Sequence, residues 1–150
     1  MAPKKTHRKP FLTLAKTLRH EIEPIKNSRF ITEVRPISSE DEALTLVDSL
    51  RQEMADACHH CWAFQLRDPH KMRSSDDGEP GGSAGRPILA VLQGRELFNV
   101  VAVVVRYFGG TKLGVGGLMR AYGGATAKTL DRGDLLTITP KRPLWLEYSY

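Results

Sequence analysis

Cysteine is scarce in this chain: 150 residues include two, Cys58 and Cys61. So small a number excludes a disulfide framework and fits a reducing compartment. Long hydrophobic runs are missing as well. The apolar stretch "VVAVVV", Val100 to Val105, falls far short of the roughly 20 residues that a membrane-spanning helix needs. No apolar signal segment follows the N-terminal lysines, so the expected location is the cytoplasm, with no membrane partner. Acid is nearly absent at one end. Residues 1–29 hold two carboxylates, Glu21 and Glu23, against eight basic groups, whereas residues 30–150 hold 15 acids against 14 bases. The excess of positive charge therefore lies within residues 1–29, of which 1–11 are expected to form a flexible basic arm, and the body is close to neutral. Such an arm favours encounter with polyanions such as RNA without telling one from another.

A chain of this length and 41% hydrophobic content can close one sizeable core. "HEIEPIK" and "SRFITEVRPI" alternate apolar with polar residues around Asn27 and predict a β-hairpin with Pro24 on its edge. "SSEDEALTLVDSLRQEMADA" begins with Ser38 or Ser39 as cap, carries acids in its first turn, and aligns Ala43, Leu46, Val47, Leu50 and Met54 on one helical stripe. "CWAFQLR" reads as a strand. Residues 68–86, dense in Gly, Pro, Ser and Asp, read as a long loop. A short helix follows with Pro87 at its first position, then "FNVVAVVVRYF" as a central strand buried on both faces. A second long helix spans Val115 to Leu130, stopped by Gly133, and "LLTIT" and "LWLEYSY" read as closing strands. The order predicts an α+β two-layer sandwich, a mixed β-sheet with helices on one face.

"RYFGGTKLGVGGLMRAYGGA", Arg106 to Ala125, concentrates seven of the glycines with three basic residues. Strand, glycine turn and helix is the arrangement in which backbone N–H groups can meet phosphate. A Walker-type loop requires lysine after its second glycine, but Val115 follows Gly114. A dinucleotide fingerprint requires a glycine at position 119, which is Met119. What remains is less specific: Gly109 and Gly110 allow a sharp turn, and Gly114, Gly116 and Gly117 allow a helix start to lie close to a sheet or a ligand. Arg106, Lys112 and Arg120 stand around that start, where an anion would meet both cations and the helix dipole. Close helix-to-sheet packing explains the glycines equally simply.

This segment resembles the signature of the Impact/YigZ family of translation-linked proteins. The resemblance extends through "SDDGEPGGSAGRPIL", "HHCWAF" and "HEIEPIKNSRFI", and covers about Leu12 to Leu136. It implies a fold similar to domain IV of elongation factor G and to a ribosomal-protein fold, with an Impact-type domain over residues 12–140. It also implies a role in translation, since eukaryotic members compete for the ribosome-associated activator of a starvation-responsive initiation-factor kinase. Bacterial members commonly carry a second, ferredoxin-like domain, and residues 141–150 are expected to form a C-terminal strand, a remnant of that domain.

"CHHC" offers zinc-type donors, and because alternate strand residues share a face, His59 with Cys61 is one candidate pair and Cys58 with His60 another. The sequence supplies no second cysteine pair, so no metal is expected. "SDDGEP" offers Asp76, Asp77 and Glu79; Asp76 reads as part of a solvated loop, while the resemblance marks Asp77, Glu79 and Arg86 as binding candidates. The anion or nucleic-acid set is Arg29, Arg106, Tyr107, Gly109, Gly110, Thr111, Lys112, Gly114, Gly116, Gly117 and Arg120. The reading is a binding protein for RNA, the ribosome or a ribosome-associated translational regulator, with no cofactor, no assigned catalytic residue and no set oligomeric state. The alternative is a nucleotide- or phosphate-binding protein or enzyme, using Gly109 to Arg120 with Mg²⁺ on the loop carboxylates.

Overall fold

The computed structural model describes residues 9–140. The basic arm and the C-terminal strand expected from the sequence lie wholly or mostly outside the described residues. The elements run β1 (Phe11–Leu14), β2 (Leu18–Glu21), β3 (Arg29–Pro36), α1 (Glu40–Glu53), β4 (His59–Arg67), β5 (His70–Ser75), α2 (Gly85–Gly94), β6 (Val100–Tyr107), α3 (Gly114–Leu130) and β7 (Leu135–Ile138). A five-stranded sheet has the order β2-β3-β6-β4-β5, and β1 pairs with β7 in a small second sheet. Among the described residues no helix is long and apolar enough to cross a membrane.

The valine run of β6 takes the central position because both of its faces can be buried. Val101, Val103 and Val105 join one core cluster with Ala43, Leu46, Val47 and Leu50 of α1. Val100, Ala102 and Val104 join the other, with Ile88 and Leu92 of α2 and Ala121, Tyr122 and Ala125 of α3. Helices thus cover both faces of the large sheet, a correction to the expected single covered face. A strand whose first six residues are apolar permits this, since either set of alternate side chains seeks burial.

The α+β class holds, but the sheet is not mixed: every strand pairing in both sheets is antiparallel. Strand–helix–strand order suggested parallel neighbours. In the fold β6 lies between β3 and β4, and β4 lies between β5 and β6. Each crossover therefore joins strands that run the same way without touching.

Local signals explain several elements. Ser39 caps α1 through a bond from the Glu42 N–H at 3.2 Å, and the Glu42 carboxylate reaches back to the Ser38 N–H at 3.1 Å. Lys26 and Asn27 both have positive φ, 48° and 67°, and Ile25 and Ser28 exchange two backbone hydrogen bonds across them. That is a type I′ hairpin turn, the form that follows sheet twist. Pro24 falls in this connection, next to edge strand β2. The expected loop at 68–86 is partly a strand: β5 pairs with β4 from Arg67↔His70 to Trp62↔Ser75. Its side chains are mostly exposed, so it lacks the apolar alternation by which strands are recognised.

Candidate nucleic-acid interface at the start of α3

β6 delivers the chain to this region and Gly109 turns it. A Cβ on Gly109 would lie 2.1 Å from the Asn27 carbonyl group, so only glycine permits the junction to pack on the β2–β3 hairpin. The Gly109 N–H donates to Ser28 Oγ at 3.1 Å. Gly110 and Gly114 take φ of 93° and 76°, the left-handed region that favours glycine. Gly116 and Gly117 lie in the first turn of α3, which has neither a side-chain cap nor an acidic residue. Its first N–H groups and its dipole are therefore left for an anion.

Thr111, Lys112 and Arg120 are exposed here. A shallow cleft of about 240 Å³ is bounded by Ile25, Lys26, Leu113, Gly117, Arg120 and Ala121. Leu113 is also a wall of a second cleft, about 300 Å³, that includes Lys112, Phe108, Val115 and Leu118. Among the described residues Lys26, Lys112 and Arg120 form no ion pair.

Arg106 differs from those three cations. It is 4% exposed, and Glu79 is 8% exposed. Arg106 Nη1 donates to both Glu79 oxygens at 2.8 and 3.1 Å, while its Nη2 and Nε reach Ser28 Oγ at 3.2 and 3.4 Å. Tyr122 donates its hydroxyl to the same carboxylate. Burial, then the neighbouring Cys61 and Glu79, push the Tyr122 phenol far above its ordinary value, so it stays protonated and donating. Arg106 lines the 300 Å³ cleft as part of a neutralised pair, a correction to its expected place among the free cations.

The loop acids are more ordered than the sequence suggested. Partial burial alone would push the Asp76 carboxyl upward, but bonds from the Gly82, Gly85 and Ala84 N–H groups, with Arg86 nearby, hold it below the ordinary carboxylate value. Those bonds measure 2.8, 2.8 and 3.1 Å. Asp76 thus caps α2 from a distance instead of belonging to a solvated loop. Asp77 Oδ2 accepts from the His60 N–H at 2.7 Å and Oδ1 from Arg51 at 3.2 Å. Arg86 is exposed in the first turn of α2.

His59 and Cys61 do share a face. Because the Asp77 carbonyl can only accept, His59 Nδ1 carries the proton shared with it at 2.8 Å. His59 Nε2 faces Glu79 at 3.6 Å. Cys61 donates its thiol to the Asp76 carbonyl at 3.1 Å, and burial pushes that thiol well above its ordinary value. A buried, protonated thiol is a poor metal ligand, so packing describes Cys61 better.

Arg29 and Tyr107 lie apart from the α3 start. Tyr107 packs against the α1-side core, with its hydroxyl on Asp56 at 3.0 Å. The Arg29 guanidinium lies 4.9 Å from the Tyr107 ring centroid and pairs with Glu21 at 2.8 Å. Conversely, sequence reasoning missed Lys26, Ser28, Phe108, Leu113 and Tyr122. Phe108, 48% exposed, does carry a signal: it is a large apolar residue just beyond the end of a strand buried along its length.

The model of the Impact N-terminal domain matches residues 26–130. The chain belongs to the Impact family. Among curated Impact-family relatives, YigZ of Escherichia coli (strain K12) is 45% identical over 85% of this chain and 62% of its own length. YvyE of Bacillus subtilis (strain 168) is 42% identical over 81% of this chain and 56% of its own. A solved structure described as that of a hypothetical protein superposes with a TM-score of 0.83 at 41% identity, covering 88% of this chain and 65% of that one. The chain therefore spans somewhat more than half the length of these relatives.

Proposed function

We propose that this Impact-family chain is a translation-linked binding module that grips RNA, on or off the ribosome, through the surface around the start of α3. The link to translation rests on family membership. The RNA reading rests on one observation: three exposed cations without ion pairs, Lys26, Lys112 and Arg120, surround an uncapped, acid-free helix start. Phosphates satisfy both the cations and the orphan N–H groups. The pairs Arg29–Glu21 and Arg106–Glu79 contribute shape instead of free charge.

A nucleotide–Mg²⁺ site has weaker support. Glu79 is already bonded by Arg106 and Tyr122, and Asp77 by His60 and Arg51, so a metal would have to break those bonds. The test is a salt titration of RNA and ATP–Mg²⁺ binding with the intact chain, with Lys112→Ala, and with Lys4, Lys5, Arg8 and Lys9 changed to Gln. RNA affinity is expected to fall steeply with salt and to survive neutralisation of the arm. Lys112→Ala is expected to reduce the log–log slope by about 0.7–0.9, one phosphate contact. Unchanged RNA binding in Lys112→Ala, or binding of ATP–Mg²⁺ alone, contradicts the proposal. Salt-insensitive association with a protein and none with RNA would favour a translational regulator as partner.

A further inference from the structure

We infer that the 300 Å³ cleft beside the α3 start receives one unstacked base of a single-stranded RNA, an inference that rests on the RNA-binding reading and gives it a ligand geometry. The cleft lies at the small end of ligand pockets, about 300–1,000 Å³, and has room for a base. Its walls are Phe108, Leu113, Val115, Leu118 and Pro80. Phe108 and Val115 are 48% and 52% exposed, a large apolar area for two side chains that line one cleft. An exposed aromatic face is what an unstacked base seeks, and such stacking tolerates any sequence.

The floor distinguishes a base from an apolar peptide side chain. Its bonds to Glu79 and Ser28 leave one guanidinium N–H of Arg106 without a partner among the described residues. Glu79 Oε1 accepts from Arg106 and faces His59 Nε2 at 3.6 Å; because His59 carries its proton on Nδ1, that nitrogen does not donate and the oxygen keeps a lone pair. A nucleobase edge presents donors beside acceptors and satisfies both groups, whereas an aliphatic side chain would cover them unpaired. Lys112 stands at the rim, where the phosphate of the same nucleotide would fall. Bases within an A-form duplex are stacked and cannot enter.

The experiment measures binding by fluorescence anisotropy of a short single-stranded RNA, its duplex with the complementary strand, and an abasic strand of equal length. The proteins are the intact chain, Phe108→Ala, Val115→Trp and Lys112→Ala. Phe108→Ala removes the stacking face and Val115→Trp fills the cleft; both sites are about half exposed, so thermal melting should show both variants folded. Each is expected to weaken single-strand binding about 5- to 150-fold, the usual range for loss of one stack. Duplex and abasic binding, and the salt slope, should not change. If the three RNAs bind alike and neither variant matters while Lys112→Ala still lowers the slope, the cleft inference is overturned and the phosphate surface stands. Loss of affinity for every RNA overturns both, as does a cleft that answers to an acidic apolar peptide and to no RNA.

Discussion

Glu79 shows how much a single residue can hold. Its carboxylate is the shared acceptor of Arg106 and Tyr122 and faces His59, so it ties β6, α3 and β4 together beneath the cleft. Glu79→Ala leaves the Arg106 charge buried without a partner, a loss that costs about 3–5 kcal/mol in comparable pairs. Urea unfolding should report a loss of that size, and one below about 1 kcal/mol would mean that Arg106 finds another acceptor or water. Asp76 gives the pH-dependent counterpart. Its folded carboxyl lies below the ordinary value of 3.8, so its stabilising effect is complete above the unfolded value and is lost as pH falls through the folded one. Asp76→Asn should cost about 1–3 kcal/mol near neutrality and flatten the decline in stability below about pH 4. A variant with the same acid profile as the parent would contradict the capping role. In the sequence these two acids and Asp77 look alike, because what separates them is a set of partners 6 to 43 positions away.

Elements were legible where one physical signal dominated. α1 has its cap, acidic first turn and apolar stripe, and it forms as expected around Ala43, Leu46, Val47 and Leu50. β6 is legible from its valines. β5 was hidden because a polar edge strand shows neither alternation nor burial; it exists through its ladder with β4. The glycine segment was read as either packing or anion binding, and within one element different glycines serve different ends. Gly109 is fixed by contact with the hairpin, and Gly114 by its φ of 76°. Gly109→Ala should therefore displace the hairpin around Lys26, visible as lost amide protection at residues 22–28 in hydrogen exchange. Gly116→Ala, whose Cβ would meet only the Arg120 side chain, at 3.5 Å, should leave that protection intact. Equal effects of the two substitutions would contradict this division.

Across the whole molecule, the sequence carried the element order but not the layering. Two strands inserted between crossover partners make the large sheet antiparallel, and a central strand apolar on both faces allows α1 to sit opposite α2 and α3. That layering divides the expected site: Arg29 and Tyr107 go to the α1 side, while Lys112, Arg120 and the cleft go to the α3 side. Alternation along a strand places neighbouring residues on opposite faces, so the adjacent pairs Arg29–Phe30 and Arg106–Tyr107 were bound to separate. Lys26, Lys112 and Arg120 then place unpaired positive charge on one surface among the described residues, around an uncapped helix.

The most direct test of the central claim compares log–log salt slopes for single-stranded RNA binding in the intact protein and in a variant carrying Lys26→Ala, Lys112→Ala and Arg120→Ala. The account predicts a drop of about 2 in slope, the sum of three phosphate contacts at roughly 0.7 each, with the fold retained. An unchanged slope would place the electrostatic contact elsewhere on the chain and contradict the assignment of the α3 start as the RNA-binding surface.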